Sequence, residues 1–461
     1  MTILSRRDVL KYGAAGIAAS FTAQWPVLAA DDTPAFRLAT FAADVTPPKG
    51  SPLCGGLVAP VKDVSEPLRA LGIVLLGGPK PIVLCAVDWC EIHNADHVYW
   101  RSEIAKAAGT SPDHVAVQSL HQHNAPIANT EAHRILAVGD APLAFFDPDW
   151  HTQAVVAVAR AVHDALQSAQ PLTHIAYGEA KVSEVASNRR VMGPDGKVQH
   201  VRTSATKDPA IRAAPEGLID PFLKTLILRN GEKPLAVLHY YATHPMSYYG
   251  DGVVTSDFVG MARDRRAEST GVPNIYFTGC GGNVTAGKYN DGNPANRPIL
   301  RDRIEQAMIA AEKNAKSVPL KQIAWRVSNV VLPARTNAVE KDLVATAQDA
   351  KKPPATRIIA AFQASYQRHA AAGKPIPFSC LHLGDTVRIL HLPGEPFVEY
   401  QLLAQELVPD KFVCVAGYGN VGTGYIPLER QFAEGGYEPT VAFAAPESET
   451  LIRKTCREIL K

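Results

Sequence analysis

Short runs of β-branched and apolar residues alternate along this chain with longer segments of helical periodicity. That alternation limits the fold more than any other feature. Leu71–Leu76 and Pro81–Val87 read as two strands joined by the Gly77-Gly78-Pro79-Lys80 turn. Val98–Ala108 reads as a helix with Arg101 and Lys106 outward, closed by Gly109. Val115–Leu120 is the next strand, and Thr152–Ala169 is a helix whose Ala, Val and Leu recur at helical spacing. Leu223–Leu228 and Leu235–Tyr240 pair about Asn230-Gly231. Further strands are expected at Asn274–Phe277, Gln322–Leu332, Leu381–His382 with Val387–Leu392, and Phe412–Val415. Asn296–Ala315 and Ala355–Ala371 read as helices. The pattern predicts an α/β fold, and the hairpins among the crossovers make its sheets mixed. No fixed-period repeat is visible, and Lys351-Lys352-Pro353-Pro354 is the only linker-like break, so residues 31–461 are expected to form one large domain. Val191–Asp220, rich in Gly, Pro and charge, reads as a long loop or lid.

The first 30 residues stand apart. Ser5-Arg6-Arg7-Asp8-Val9-Leu10-Lys11 precedes a small-residue, weakly apolar run from Tyr12 to Ala23, and Val27-Leu28-Ala29-Ala30 offers a cleavage site. This order predicts a twin-arginine export signal over residues 1–30 and a periplasmic or extracellular mature protein. The alternatives are a basic helix that stays attached or a retained anchor. The run is, however, too short and polar to span about 30 Å of hydrocarbon. No other stretch approaches about 18 uninterrupted apolar residues, so no transmembrane segment is expected in the mature chain. The formal charge of +2 comes from Arg6, Arg7 and Lys11 against Asp8, and the remainder is neutral. A neutral chain has no electrostatic footprint for nucleic acid. Proteins on this route fold before export. Cys54, Cys85, Cys90, Cys280, Cys380, Cys414 and Cys456 are therefore expected as buried thiols, none in a Cys-x-x-Cys pair.

Four strand ends carry residues capable of chemistry. In Leu120-His121-Gln122-His123-Asn124-Ala125-Pro126 the two histidines share one side of an extended segment, as two metal ligands or a ligand and its neighbour would. Two surface histidines would show the same spacing. Ala242-Thr243-His244 ends another strand with a histidine, Pro393-Gly394-Glu395 ends a third with a carboxylate in a tight turn, and a glycine-rich loop carries Tyr425 after a fourth. Two histidines and a carboxylate are the ordinary donor set of a hydrolytic zinc site with a position open for water. A core histidine, a helix-terminal acid and a packing tyrosine are the structural alternatives. Asp88 and Asp257 each fit either a carboxylate orienting a ligand histidine or a solvated strand-end acid.

As an ordered set these segments resemble the neutral (alkaline, non-lysosomal) ceramidase family. The resemblance begins at Ala43-Asp44-Val45-Thr46-Pro47-Pro48-Lys49-Gly50. It continues through Pro67-Leu68-Arg69-Ala70, the His121–Pro126 segment, Ala242-Thr243-His244, Ser256-Asp257, Pro393-Gly394-Glu395 and Gly424-Tyr425-Ile426. It implies the family's α/β catalytic domain and Zn2+ held by His121, His244, Glu395 and Tyr425. His123 would stand beside the metal as an acid/base group, with Arg189 of the Asn188-Arg189 pair and Tyr437 facing the reacting group. Two departures bear on substrate. Gly282-Asn283-Val284-Thr285-Ala286-Gly287 puts Thr285 in place of the family's serine and Asn283 in place of its aspartate. A threonine hydroxyl still hydrogen-bonds a substrate, but its methyl narrows the pocket and makes a covalent role less fitting. The family's appended C-terminal β-sandwich is also expected to be absent, since this sequence ends soon after the tyrosine loop.

The implied chemistry is attack of zinc-activated water on an acyl carbon, with Arg189 and Tyr437 stabilising the oxyanion and His123 shuttling the proton. The expected function is cleavage of an N-acyl amide in a lipid or other small-molecule substrate. A glycoside or ester of a sugar-containing substrate on the same site is the alternative, and a non-catalytic binding protein is a third reading. A polar pocket favours the sugar, whereas a long apolar one favours an acyl chain.

Overall fold

A computed structural model describes residues 36–461 except 140, and the expected export signal at 1–30 lies outside the described residues. Twelve principal strands fall into three sets of four. The first set is β1 (Arg37–Asp44), β2 (Arg69–Leu76), β3 (Ile82–Val87) and, after helix α1 (Asn94–Ala108), β4 (Val115–Ser119). Helix α2 (Pro148–Ala165) follows. The second set is β5 (His174–Lys181), β6 (Phe222–Asn230), β7 (Lys233–Tyr241), α3 (Asp257–Thr270) and β8 (Asn274–Thr278), followed by α4 (Asn296–Lys313). The third begins with β9 (Ile323–Val330). After helix α5 (Pro354–Ala371) it continues as β10 (Ile376–Leu383), β11 (Val387–His391), α6 (Val398–Leu407) and β12 (Phe412–Ala416), and α7 (Ser448–Leu460) closes the chain.

Each set makes one sheet with the same wiring. The first three strands are antiparallel neighbours. The fourth lies parallel to the third after a helical crossover, the connection that parallel pairing requires. The first two sheets gain a matching antiparallel edge, Gln170–Pro171 on β1 and Lys316–Pro319 on β5. The fold is thus a single α/β domain with mixed sheets, as the alternation predicts, and it holds a threefold structural repeat that the sequence does not display.

One shared core explains the near-continuous apolar runs. Ile82, Leu84 and Ala86 of β3 join Leu226, Leu238 and Ile275 of the second sheet and Leu381, Ile389 and Cys414 of the third in one buried cluster. Val83, Cys85 and Val87 point the other way, into the cluster beneath the helices. Such strands are buried on both faces. The fourth strands close on one another at their C-terminal ends. Ser119 N donates to Tyr418 O at 2.8 Å, Gly417 N to Thr278 O at 2.9 Å, and Thr278 Oγ1 to Leu120 O at 2.8 Å.

Two local expectations are corrected. Arg101 is buried rather than outward, because its guanidinium donates to Val115 O at 3.0 Å and Pro112 O at 2.6 Å. The 191–220 stretch is not a featureless loop. Arg190–Met192 pairs with Val198–Val201 as a hairpin, and Pro209–Ala213 is helical. Among the described residues no helix is long and apolar enough to cross a membrane.

Candidate active site

The site lies where the three sheets converge, and each set supplies one residue to its centre. Aligned on the parallel pairs Val87↔Ser119, Tyr241↔Thr278 and His391↔Ala416, the site residues follow within a few positions of the strand ends. His121 leaves β4, His244 leaves β7 and Glu395 leaves β11. Their ligating atoms all lie within 4.8 Å of one another, and all three side chains are buried. His121 is held in the left-handed region at φ 69°, a conformation unusual for a non-glycine residue and characteristic of functional centres. The Pro393-Gly394 turn aims Glu395. Gly394 has φ +65°, and a Cβ there would meet Thr423 Oγ1 at 2.2 Å.

The hydrogen bonds set the tautomers. His121 Nδ1 faces Cys90 O at 3.1 Å and His244 Nδ1 faces Gly281 O at 2.7 Å, so each Nδ1 carries the proton. Both Nε2 lone pairs then face Glu395 Oε2, at 3.0 Å and 3.2 Å. His121 Nε2 and Glu395 Oε2 are buried without a hydrogen-bond partner among the described residues. Three acceptors converging on one buried point fit a cation, and backbone carbonyls on the far nitrogens are the usual support of metal-binding imidazoles. Burial depresses His121, but Glu395 and Glu91 overcome it and raise its pKa. Burial takes His244 down to about 4. Glu395, despite its own burial, is held well below the ordinary carboxylate range by His121 and His244.

Tyr425 joins this group because Glu395–Pro396 pairs in parallel with Tyr425–Ile426. Its hydroxyl is 3.3 Å from His244 Nε2 and accepts from Arg189 NH1 at 2.9 Å. Burial pushes Tyr425 well above the usual phenol range, and the Arg189 charge opposes that shift. Arg189 is itself buried, 3.8 Å from Glu438, with its guanidinium 5.1 Å from the Tyr437 ring centre. Tyr437 lies at the rim, 43% exposed. His123 stands with its ring centre 4.9 Å from that of His121. Burial, reinforced by His121 and His244, holds its pKa well below the ordinary value, leaving it a neutral base.

Seven of the eight sequence-derived candidates therefore line one cavity of about 660 Å³. The exception is Thr285. It is fully buried outside that lining, because Val284–Thr285 pairs as a strand with Ser187–Asn188 and its hydroxyl accepts from Gly287 N at 3.2 Å. Asn283 donates to Glu399 and accepts from Val398 N, pinning the start of α6. Both readings of Asp88 and of Asp257 are corrected. Asp88 is wholly buried in a bidentate pair with Arg263 at 2.6 and 3.0 Å. Asp257 accepts from Ser247 N and Oγ at 3.0 and 2.7 Å, steadying the segment after His244.

The sequence reading missed Glu91 and His93. Glu91 Oε1 lies 3.7 Å from His121 Nδ1, and Oε2 lies 2.6 Å from His93 Nε2. Asn129 Nδ2 donates to His93 Nδ1 at 2.9 Å, so the His93 proton sits on Nε2 and points to Glu91. The available signal was positional: Glu91 follows Val87 at the same offset as Glu395 follows His391. The rest of the cavity wall is mostly apolar, with Leu57, Val58, Ile127, Met246, Ile359, Phe362 and Phe443 among its members.

No protein-family model and no curated protein matches the chain. Solved structures do. The crystal structure of neutral ceramidase from Pseudomonas aeruginosa superposes with a TM-score of 0.69 at 16% identity, over 93% of this chain and 74% of that one. The structure of ceramidase complexed with C2 gives a TM-score of 0.69 at 15% identity, over 93% of this chain and 75% of that one. The fold is that of neutral ceramidase, and at this identity the likeness speaks to fold alone.

Proposed function

We propose that this protein is an exported, Zn2+-dependent hydrolase that cleaves an N-acyl amide bond in a ceramide-like or other N-acylated substrate. One observation carries the reading: the unprotonated nitrogens of His121 and His244 and a carboxylate oxygen of Glu395 meet at the floor of a largely apolar cavity. The fold shared with neutral ceramidase supports it. The apolar wall favours an acyl chain over a sugar.

His121, His244, Glu395 and Tyr425 would hold the ion, which when bound supplies Lewis acidity and an acidified water. The residues do the rest. His123, neutral because it is buried beside two other imidazoles, accepts a proton from the attacking water and returns it to the departing amine. Arg189 keeps its charge against burial through Tyr425 and Glu438, and with Tyr437 it offers donors to the oxyanion. The apolar wall excludes water and takes the acyl chain. Export rests on the Arg6-Arg7 segment and accords with seven buried, unpaired cysteines.

Zinc-loaded protein assayed on N-acyl sphingosines, N-acyl amino acids and aryl glycosides tests the reading. Turnover of an N-acyl amide that disappears in His121→Ala supports it. Turnover of the glycosides alone, or ligand binding without turnover that survives His121→Ala, overturns it.

A further inference from the structure

Beside the His121–His244–Glu395 centre is a second group of donors, which joins His123 to two cysteines that the mechanism leaves unused. The sulfurs of Cys54 and Cys90 and a ring nitrogen of His123 lie within 4.8 Å of one another. They come from three separate stretches: the segment between β1 and β2, the end of β3 and the end of β4. Backbone hydrogen bonds hold the stretches in register. Cys54 N donates to Ala125 O at 2.7 Å and Cys90 N to Pro126 O at 3.0 Å, so both cysteines are tied to the residues just past His123. Cys54 occupies the left-handed region at φ 45°, which a side chain adopts only at a cost. The Nδ1 of His123 is buried and has no hydrogen-bond partner among the described residues. A buried ring nitrogen without a partner, on an imidazole that stands beside two thiols, is expensive unless a ligand satisfies it.

We propose that Cys54, Cys90 and His123 form a second metal site, distinct from the His121–His244–Glu395 centre, that takes Zn2+ or a similarly thiophilic divalent ion. Two thiolates and an imidazole are a donor set that selects such ions over magnesium or calcium. Binding releases the two thiol protons, and the thiolates neutralise the ion, so no net charge is buried. Cys54 and His123 line the cavity, which leaves a fourth position open to water or ligand. The site also gives His123 a structural task, because coordination through one nitrogen fixes the ring and leaves the other free. This inference does not depend on the proposed reaction.

The test is metal content of the folded full chain, with Co2+ substitution as the spectroscopic probe. Wild type should hold two equivalents, Cys54→Ser and Cys90→Ser one each, and Glu395→Gln one. Cobalt-loaded wild type should show a near-ultraviolet thiolate-to-metal band that vanishes in Cys54→Ser and persists in Glu395→Gln. If the serine variants do not fold, wild type supplies the readout: bound metal should shield Cys54 and Cys90 from alkylation, and chelation should expose them. A wild type lacking the thiolate band, equal alkylation with and without metal, or a Cys54–Cys90 disulfide in the isolated protein overturns the proposal. Loss of metal from Glu395→Gln with the thiolate band retained separates this site from the first. A first centre that fails while the band survives overturns only the proposed function.

Discussion

The third strands of the first and third sheets, β3 and β11, end at matching places and do different work there. One residue past the strand the first sheet has buried Asp88, ion-paired with Arg263, where the third has Leu392 and the second Ala242. Four residues past it, Glu91 and Glu395 hold equivalent stations. Glu395 turns inward to both imidazoles, whereas Glu91 stays behind His121 and pairs with His93. The repeated fold supplies three stations around a centre. The side chain at each decides whether it supplies a donor, supports a donor or anchors the scaffold.

That comparison can be broken in order of expected effect. Glu395→Gln keeps the volume and removes the charge shared by both histidines. It should abolish turnover and metal retention at the His121–His244–Glu395 centre, read by single-turnover kinetics and by the loss of one metal equivalent. Asp88→Ala removes the bidentate partner of the buried Arg263, leaves that charge to Asp264 alone, and should cost about 3 kcal/mol of stability by denaturant unfolding. A loss under about 1 kcal/mol would mean that this station carries no structural load. Arg189→Lys removes the planar donor that reaches Tyr425, and kcat should fall by about 10²–10³-fold. Glu91→Gln should weaken metal affinity or activity by about 10- to 100-fold, as expected for a carboxylate behind a ligand histidine. An effect as large as that of Glu395→Gln would erase the distinction drawn between the two stations.

The smallest effect concerns pH. Burial pulls His239 of β7 down to about 4 and His391 of β11 to about 3, while β3 carries no histidine. Both rings are neutral in the folded protein, and unfolding frees them to bind protons below about pH 6.5. Their contribution is complete above that value and is lost as the pH falls towards 4 and then 3. The unfolding midpoint should therefore drop on acidification, and His239→Gln should flatten the slope.

Strands such as Ile82–Val87 are legible because burial on both faces demands continuous apolar residues, and Asn230-Gly231 marks its hairpin by turn chemistry. His121, His123, His244 and Glu395 could be picked out because a strand end fixes where its next residues go. The threefold wiring could not, because the connections between equivalent strands differ in length and no side-chain pattern recurs. Asp88 and Arg101 are not legible because their partners lie outside their own elements: Arg101 of α1 reaches the backbone of Pro112 and Val115 in the next turn and strand. Arg263, which decides the role of Asp88, stands on α3 in the next repeat. Thr285 failed the other way. Its segment is recognisable, but strand pairing with Ser187–Asn188 turns the hydroxyl away from the cavity.

The ring of hydrogen bonds among Ser119, Thr278 and Gly417 has a consequence for how the protein is made. Its members, like His121, His244 and Glu395, come from all three repeats, so no single repeat can present a working centre to solvent during synthesis. Pairings this distant in sequence form slowly. A ligand that engages all three repeats binds the completed fold and not its fragments. Occupancy would therefore stabilise the whole chain by mass action and protect every repeat from proteolysis at once.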